Sequence, residues 1–303
     1  MTGTAATRRL MARSGYFTGL MTWGSSSMAG GLPSQGSPVP CNILDHLKQT
    51  IAPLPLMPRA QGGTTSHHTR VSTGLDRPTV KFSGGRASSA GRVRISSIDH
   101  SMGATGMFSC HGTINGTAGW LRGAGNHFTW QPDDKKTRVK NGAFVSDHRA
   151  KALKGAKNGR YYHLLWAGKN NITQGGGSTV ISHVDQLVPH LGGPGRVIVL
   201  GQWITQKDNS SQISGCKKVN AHQKKKYGAH FLDVQALLTS QAGLTCGPVE
   251  GLKLWGKSAV QKDIKAGRVP KALVGNDGIH LNGWGNLIVT HALIEKMKEL
   301  QWL

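Results

Sequence analysis

The sequence has 303 residues, of which 37% are hydrophobic, and its 37 Lys and Arg against 14 Asp and Glu give a formal net charge of +23. This length supports a sizeable buried core, and no apolar run approaches the roughly 18 to 20 residues that a membrane span needs. The positive charge favours polyanionic partners, such as nucleic acid, acidic polysaccharide, phosphorylated glycolipid or an acidic protein face. Because zinc-finger spacing and an aromatic ribonucleoprotein motif are both absent, we do not expect a dedicated reader of nucleic acid.

The four cysteines lie far apart and form no CxxC pair. This argues against a zinc ribbon, and in a chain of this length it indicates buried thiols more than a disulfide scaffold. Residues 1–15 read as a flexible basic leader, and no apolar stretch follows before Gly19, so we expect no cleaved secretory signal. The protein is then cytoplasmic, unless it is released by lysis or carried within a virion.

The first elements in chain order are a strand and a helix. Tyr16 to Trp23 form an apolar run that predicts the first strand. Residues 42–51 carry apolar side chains at helical spacing, which predicts an amphipathic helix, and the prolines of "APLPLMP" cannot continue it. Residues 76–150 alternate short β-prone pieces, such as "RVRISSI" and "NHFTWQP", with Gly, Ser and Asn turns. This texture predicts a small all-β insertion.

Strands and helices alternate after the insertion. The pieces "RYYHLLWAG", "RVIVLG" and "HFLDV" predict strands, and the second is apolar almost throughout, as in a parallel sheet covered on both faces. Helices are predicted between Val180 and Leu191, over "CKKVNAHQKKKYG", and from Gly285 onward. This alternation predicts a three-layer α/β/α sandwich with a mostly parallel sheet. Functional sites in such sheets lie at the carboxyl ends of the strands.

Four short polar segments stand out, and three of them follow predicted strands. They are "GSSS" at 24–27, "QGGTTSHH" at 61–68, "WAGKNNI" at 166–172 and "NDGIHLNGWG" at 276–285. Each alone has a structural explanation as a turn, a left-handed loop or a helix cap. Together they supply what a serine hydrolase requires: a nucleophile, a general base, a carboxylate that orients the base, and donors for an oxyanion.

These segments, in this order, resemble the four motifs of the SGNH/GDSL hydrolase family. The matching residues are Gly24-Ser25-Ser26 for Gly-Asp-Ser, Gly63 in "GGTTS", Gly168-Lys169-Asn170-Asn171 for Gly-x-Asn-Asp, and Asp277-Gly278-Ile279-His280 for Asp-x-x-His. The resemblance covers residues 16–75 and 155–303. It implies a discontinuous hydrolase domain at 16–75 and 151–303, interrupted by the all-β insertion at 76–150. The insertion and the phrase "WAGKNN" look like those of phage-borne or phage-derived esterases.

The chain departs from the family pattern at two positions. Ser25 stands where the family has an aspartate beside the nucleophile, and Asn171 stands where it has an aspartate after the oxyanion asparagine. Neither position normally holds a triad member in the family. Both changes remove negative charge near the site and could alter the support of the loops.

The resemblance implies a mechanism and a set of site residues. Ser26, the second residue after the glycine of the first motif, would be the nucleophile, with His280 as general base and Asp277 as its orienting carboxylate. Ser26, Gly63 and Asn170 would form the oxyanion hole, and neither a cofactor nor a metal is expected. The implied substrates are O-acyl esters, O-acetyl esters above all, on a surface carbohydrate such as an acidic polysaccharide or lipopolysaccharide.

Three further side chains are candidates for substrate contact. His67 follows the second motif and could line the pocket, or it could form a surface pair with His68. Trp120 and Trp130 of the predicted insertion could stack on sugar rings, or they could fill a small β core. The insertion itself is either a glycan-contacting module or a docking surface for other subunits.

A function of another class stays open from the sequence. The protein could be a structural or adhesive component of a virion or tail, which keeps this fold and binds glycan with weak or absent catalysis. The high charge and the two missing aspartates favour this alternative. The retention of Ser26, Asp277 and His280 together favours the esterase.

Overall fold

The computed structural model describes residues 17–30, 41–87, 91–103, 107–134, 137–147 and 160–303, so the expected leader at 1–15 lies outside the described residues. The strands are β1 (Phe17–Gly24), β2 (Leu56–Pro58), β3 (Thr79–Phe82), β4 (Val93–Ile98), β5 (Ser109–Ile114), β6 (Thr117–Ala124), β7 (His127–Pro132), β8 (Gly142–Ser146), β9 (Arg160–Trp166), β10 (Val197–Leu200) and β11 (Phe231–Leu232). The helices are α1 (Ile43–Ile51), α2 (Ser66–Ser72), α3 (Ser178–His190), α4 (Ser210–Tyr227), α5 (Val234–Thr239), α6 (Gln241–Leu244), α7 (Ser258–Lys265) and α8 (Gly283–Glu299). Within these ranges, no helix is both long and apolar enough to cross a membrane.

Five strands form a parallel sheet in the order β11-β10-β9-β1-β2. Because successive side chains of a strand point to opposite faces, Leu164 and Leu165 of β9 belong to two different hydrophobic clusters. One cluster contains buried side chains of α1, α5 and α8, and the other contains those of α3 and α4. Helices therefore cover both faces of the sheet, and the predicted mixed α/β class with a parallel sheet is confirmed.

The strands β3 to β8 close into an antiparallel barrel in the order β3-β4-β7-β6-β5-β8. Its core contains Trp130 and Phe144, which have no exposed surface and whose ring centroids lie 6.1 Å apart. The β texture predicted for this part of the chain is thus present as a closed barrel. Of the two alternatives for Trp130, the structure places its ring in the small β core, enclosed by the barrel.

Polar contacts fix the barrel to the loop that precedes α2 and to α2 itself. The Gln61 side chain accepts a hydrogen bond from the Ser109 N–H at 2.6 Å and donates to the Ser109 carbonyl at 2.7 Å. Ser146 Oγ donates to the Ser72 carbonyl at 2.8 Å, and Val71 packs in the barrel's hydrophobic cluster. The first strand of the β5-β6 hairpin is therefore joined directly to the second polar segment.

Two element boundaries differ from the sequence prediction because of helix caps. α4 begins at Ser210, earlier than predicted, since the Asn209 side chain accepts from the Gln212 N–H at 3.0 Å and closes a capping box. Its first turns bury few apolar side chains, so hydrophobic periodicity does not reveal them. β11 is shorter than "HFLDV", because Asp233 caps α5 and accepts from the Ala236 N–H at 3.0 Å. All four cysteines are free thiols, and three of them are buried.

Gly24 ends β1 at a position where a side chain has no room. Its φ is +135°, and a Cβ there would lie 2.0 Å from the Trp166 carbonyl oxygen on the paired strand. We expect Gly24→Ala to lower the free energy of unfolding by roughly 2–4 kcal/mol, since backbone strain and overpacking each cost about 1–3 kcal/mol. Urea denaturation measures this loss. Gly116→Ala is the control, because Gly116 also has a positive φ, +79°, but open space around it. Equal losses in the two variants would contradict the predicted clash.

Candidate active site

The four polar segments meet at one cavity beside the carboxyl ends of the sheet strands. Three of the segments follow β1, β2 and β9, and the fourth precedes α8. The cavity has a volume of about 450 Å³. It is lined by Ser25, Ser26, Ser27, Ala29, Gly62, Gly63, Met107, Lys169, Asn170, Trp203, Ile279 and His280. The fold therefore brings residues from all four motifs together.

The middle serine of the first segment is hydrogen-bonded to an imidazole. Ser26 Oγ lies 2.6 Å from His280 Nε2, and Ser26 is partly exposed. Its neighbours Ser25 and Ser27 are only 4% and 9% exposed. The Ser25 carbonyl accepts from the Ala29 N–H at 3.0 Å, so the serines form a tight turn after β1. This turn presents Ser26 to the base and turns its neighbours inward.

Asp277 holds the other nitrogen of the His280 ring. Asp277 Oδ2 lies 2.5 Å from His280 Nδ1, and Oδ1 accepts from the N–H groups of Ile279 and His280 at 2.9 and 3.0 Å. Burial raises the pKa of the Asp277 carboxyl, but the hydrogen bonds from the His280 ring and from the two N–H groups outweigh it, so the pKa lies below its ordinary value. An ionised Asp277 accepts from Nδ1–H, which leaves Nε2 as the basic nitrogen that faces Ser26.

The loop that carries Asp277 and His280 is closed by its own backbone. The Gly275 N–H donates to the His280 carbonyl at 2.8 Å, and the Gly278 N–H donates to the Gly275 carbonyl at 2.9 Å. The φ of Gly278 is +70°, a left-handed conformation that glycine adopts without strain. Asn282 then caps α8 by accepting from the Gly285 N–H at 3.1 Å. The sequence "NDGIHLNGWG" thus specifies a turn that ends in a helix cap.

Gly63 and Asn170 lie on the cavity wall with Ser26. Asn170 Nδ2 donates one hydrogen bond, to the Thr64 carbonyl at 2.8 Å. An amide nitrogen carries two hydrogens, so a second one is available to a ligand. The left-handed backbone of Gly63, with φ at +66°, turns this loop along the cavity. The arrangement can supply donors from two loops to a negatively charged oxygen.

Asn171 supports a loop and does not line the cavity. It is 3% exposed, and its Oδ1 accepts from the Ser66 N–H at 3.0 Å. Its Nδ2 donates to Ser66 Oγ at 2.9 Å and to Gln174 Oε1 at 3.1 Å. A carboxylate has no hydrogen to donate. The asparagine therefore makes two bonds here that an aspartate could not make.

Sequence reasoning missed a buried ion pair whose lysine lines the cavity. Lys169 Nζ lies 2.8 Å from both carboxylate oxygens of Asp208 and 2.7 Å from the Trp203 carbonyl. The two charged residues are 39 positions apart, and no sequence period links such partners. The one available signal was that Lys169 falls within the third motif.

Neither His67 nor Trp120 is among the described residues that line the cavity. His67 is 9% exposed, and its ring lies edge-on to those of His183 and His100, with centroids 4.4 and 5.6 Å away. Trp120 is 36% exposed on β6, and the Arg122 guanidinium lies 5.0 Å from its ring centroid. The candidate substrate contacts of both residues are therefore not part of this cavity.

The depressed pKa of Asp277 makes a prediction about stability. A carboxyl whose pKa is lower in the folded state stabilises the fold above its unfolded pKa, and this contribution is lost as the pH falls through the folded value. We expect Asp277→Asn to lower the free energy of unfolding at pH 7 by about 1–2 kcal/mol, because a charge-assisted hydrogen bond is lost. The difference from wild type should shrink as the pH falls. Urea denaturation of both proteins between pH 7 and pH 3 measures it, and a difference that stays constant or grows in acid would contradict the prediction.

The comparisons with known proteins include a weak likeness to a solved structure. No family model matches the sequence, and no curated protein matches it. A solved structure described as "Peptidoglycan O-acetylesterase in action, 5 min" is similar at a TM-score of 0.40 and 14% identity, over 98% of this chain and 95% of that chain.

Proposed function

We propose that the protein is a serine esterase of the SGNH type that hydrolyses O-acyl esters. The observation that carries the proposal is a chain of two hydrogen bonds at the wall of a cavity. Ser26 Oγ lies 2.6 Å from His280 Nε2, and His280 Nδ1 lies 2.5 Å from Asp277 Oδ2. A hydroxyl bonded to a base that is itself oriented by a carboxylate is the arrangement by which serine becomes a nucleophile.

The chemistry follows from which atom holds each proton. Ser26 Oγ attacks the ester carbonyl while its proton moves to His280 Nε2, and the cation that forms is stabilised by Asp277. Donors from Gly63, Asn170 and the Ser26 backbone stabilise the negative oxygen of the tetrahedral intermediate. His280 then gives its proton to the leaving alcohol, and an acyl-enzyme remains on Ser26. Water, deprotonated by His280, attacks this ester, and His280 returns the proton to Ser26 Oγ as the acid is released.

The substrate class in the proposal is an O-acyl ester, O-acetyl above all, on a surface carbohydrate. The net charge of +23 favours an acidic polysaccharide or lipopolysaccharide as the carrier. The side chains of Met107 and Ile279, which are 65% and 43% exposed, form apolar parts of the wall of the cavity that Ser26 lines. Within the same proposal, 16–75 and 151–303 form a three-layer hydrolase domain, and 76–150 form the insertion of a phage-derived, virion-associated enzyme.

Substitution of the three serines tests the nucleophile. We expect Ser26→Ala to lower kcat by at least roughly 10³-fold, as loss of a triad nucleophile does, on p-nitrophenyl acetate and on acetylated polysaccharide. Ser25→Ala and Ser27→Ala are the matched controls and should keep turnover. A fluorophosphonate should label Ser26 in wild type, as shown by peptide mass spectrometry.

Two outcomes would contradict this assignment. If wild type shows no turnover above the Ser26→Ala background on either substrate, the esterase proposal fails and the result favours the glycan-binding alternative. If Ser25→Ala abolishes turnover and Ser26→Ala does not, the nucleophile is misassigned.

Asn170 tests the oxyanion hole. We expect Asn170→Ala to lower kcat about 10²- to 10³-fold, because one donor to the oxyanion is lost. KM should change little, since the donor acts on charge that develops in the transition state. Steady-state kinetics separate the two parameters, and thermal unfolding checks the loop, because Asn170 also bonds Thr64. A raised KM with unchanged kcat would assign Asn170 to ground-state binding instead.

A further inference from the structure

The peptide unit between Ile279 and His280 is held at both ends. Its N–H donates to Asp277 Oδ1 at 3.0 Å, and its carbonyl oxygen accepts from Trp203 Nε1 at 2.9 Å. The imidazole of His280 projects from the Cα that follows this peptide directly. The orientation of this peptide plane therefore sets the direction from which the imidazole approaches Ser26.

Three contacts from Trp166 and Lys169 hold Trp203 in place. The residue is 1% exposed, and its ring lies edge-on to that of Trp166, with the centroids 5.0 Å apart. The Lys169 ammonium lies 5.3 Å from the Trp203 ring centroid and also donates to the Trp203 carbonyl at 2.7 Å. The indole N–H is thus aimed at Ile279 by contacts that do not involve the loop.

The Lys169–Asp208 pair anchors this arrangement. The three ammonium hydrogens have three oxygen acceptors within 2.8 Å: the two carboxylate oxygens of Asp208 and the Trp203 carbonyl. Asp208 Oδ2 also accepts from the Thr205 N–H at 2.7 Å. Lys169 and Asp208 are only 9% and 7% exposed, and burying a charge pair is seldom favourable for stability alone. This favours a role for the pair in fixing geometry.

We propose that Trp203 is a positioning residue of the active site, which fixes the peptide that carries His280 and is itself held by Lys169 and Asp208. This inference rests on the proposed function, because it assigns Trp203 to the base of the same reaction. A hydrogen bond of 2.6 Å between Ser26 and His280 tolerates little displacement of the ring, and a misplacement of about 1 Å can cost about 10²-fold in rate.

The test removes one N–H and compares it with a matched N–H elsewhere. Trp203→Phe removes the donor to Ile279 and keeps an aromatic ring. Trp23→Phe is the control, since Trp23 is also buried and its Nε1 donates to His163 Nδ1 at 3.1 Å, outside the loop of His280 and without contact to the Trp203 ring. Both variants should lose similar thermal stability. Only Trp203→Phe should lower kcat, about 10- to 100-fold, with a small change in KM.

A second readout does not depend on turnover. Proton NMR of ¹⁵N-labelled protein reports the hydrogen between Asp277 and His280 as a downfield signal, assigned by its loss in His280→Ala. We expect Trp203→Phe to shift or broaden this signal, and Trp23→Phe to leave it in place. If wild type proves inactive, the proposed function fails, and this signal still tests whether Trp203 positions the ring.

Two results would overturn the inference. One is an equal fall in kcat for the two phenylalanine variants, which would mean that Trp203 acts through general stability. The other is unchanged kcat together with an unchanged signal in Trp203→Phe. If Trp203→Phe does not fold, site-specific replacement of Trp203 by benzothienylalanine keeps the bicyclic shape and removes only the N–H. The same two results in that variant would overturn the inference.

Discussion

The hydrogen bond between Ser26 and His280 joins residues 254 positions apart, and the rest of the structure serves to bring its two ends together. One end lies in the turn after β1, which Gly24 holds against Trp166 of the neighbouring strand. The other end lies in a loop closed by its own backbone and ended by the Asn282 cap of α8. A parallel sheet with helices on both faces makes this meeting possible, because the carboxyl ends of its strands share one edge.

The barrel takes part in the site through one of the same loops. Gln61 pairs with both backbone groups of Ser109, and the loop of Gln61 continues directly into Gly62 and Gly63 of the cavity wall. Met107 precedes the same barrel strand, and its side chain lies against Gly62 in the cavity wall. A substrate held at Ser26 would therefore contact the barrel as well as the sheet domain. The loop before β5 thus contributes to the cavity wall, whereas Trp130 lies in the barrel core.

The sequence allowed prediction of the features that have a local signature. The alternating strands and helices followed from apolar periodicity, and the turn that presents Ser26 followed from a glycine and small polar residues after a strand. The choice between the two alternatives for Trp130 could not be made from the sequence, because the same alternation places a tryptophan inside or outside a barrel according to strand register. Trp203, Lys169 and Asp208 were missed for another reason: their contacts join loops that are distant in sequence, and spacing carries no information about them.

Ser25 and Asn171, the two positions at which the chain departs from the motifs that it resembles, lie outside the proposed triad. Asn171 uses its amide to donate to Ser66 and Gln174, so the neutral side chain forms bonds that a carboxylate would lose. Ser25 is 4% exposed, and an aspartate in its place would require a buried charge to be paired. Asp277, the carboxylate of the proposed triad, is a separate residue that contacts the His280 imidazole. The absence of the two aspartates therefore gives no electrostatic reason to expect the site to be inactive.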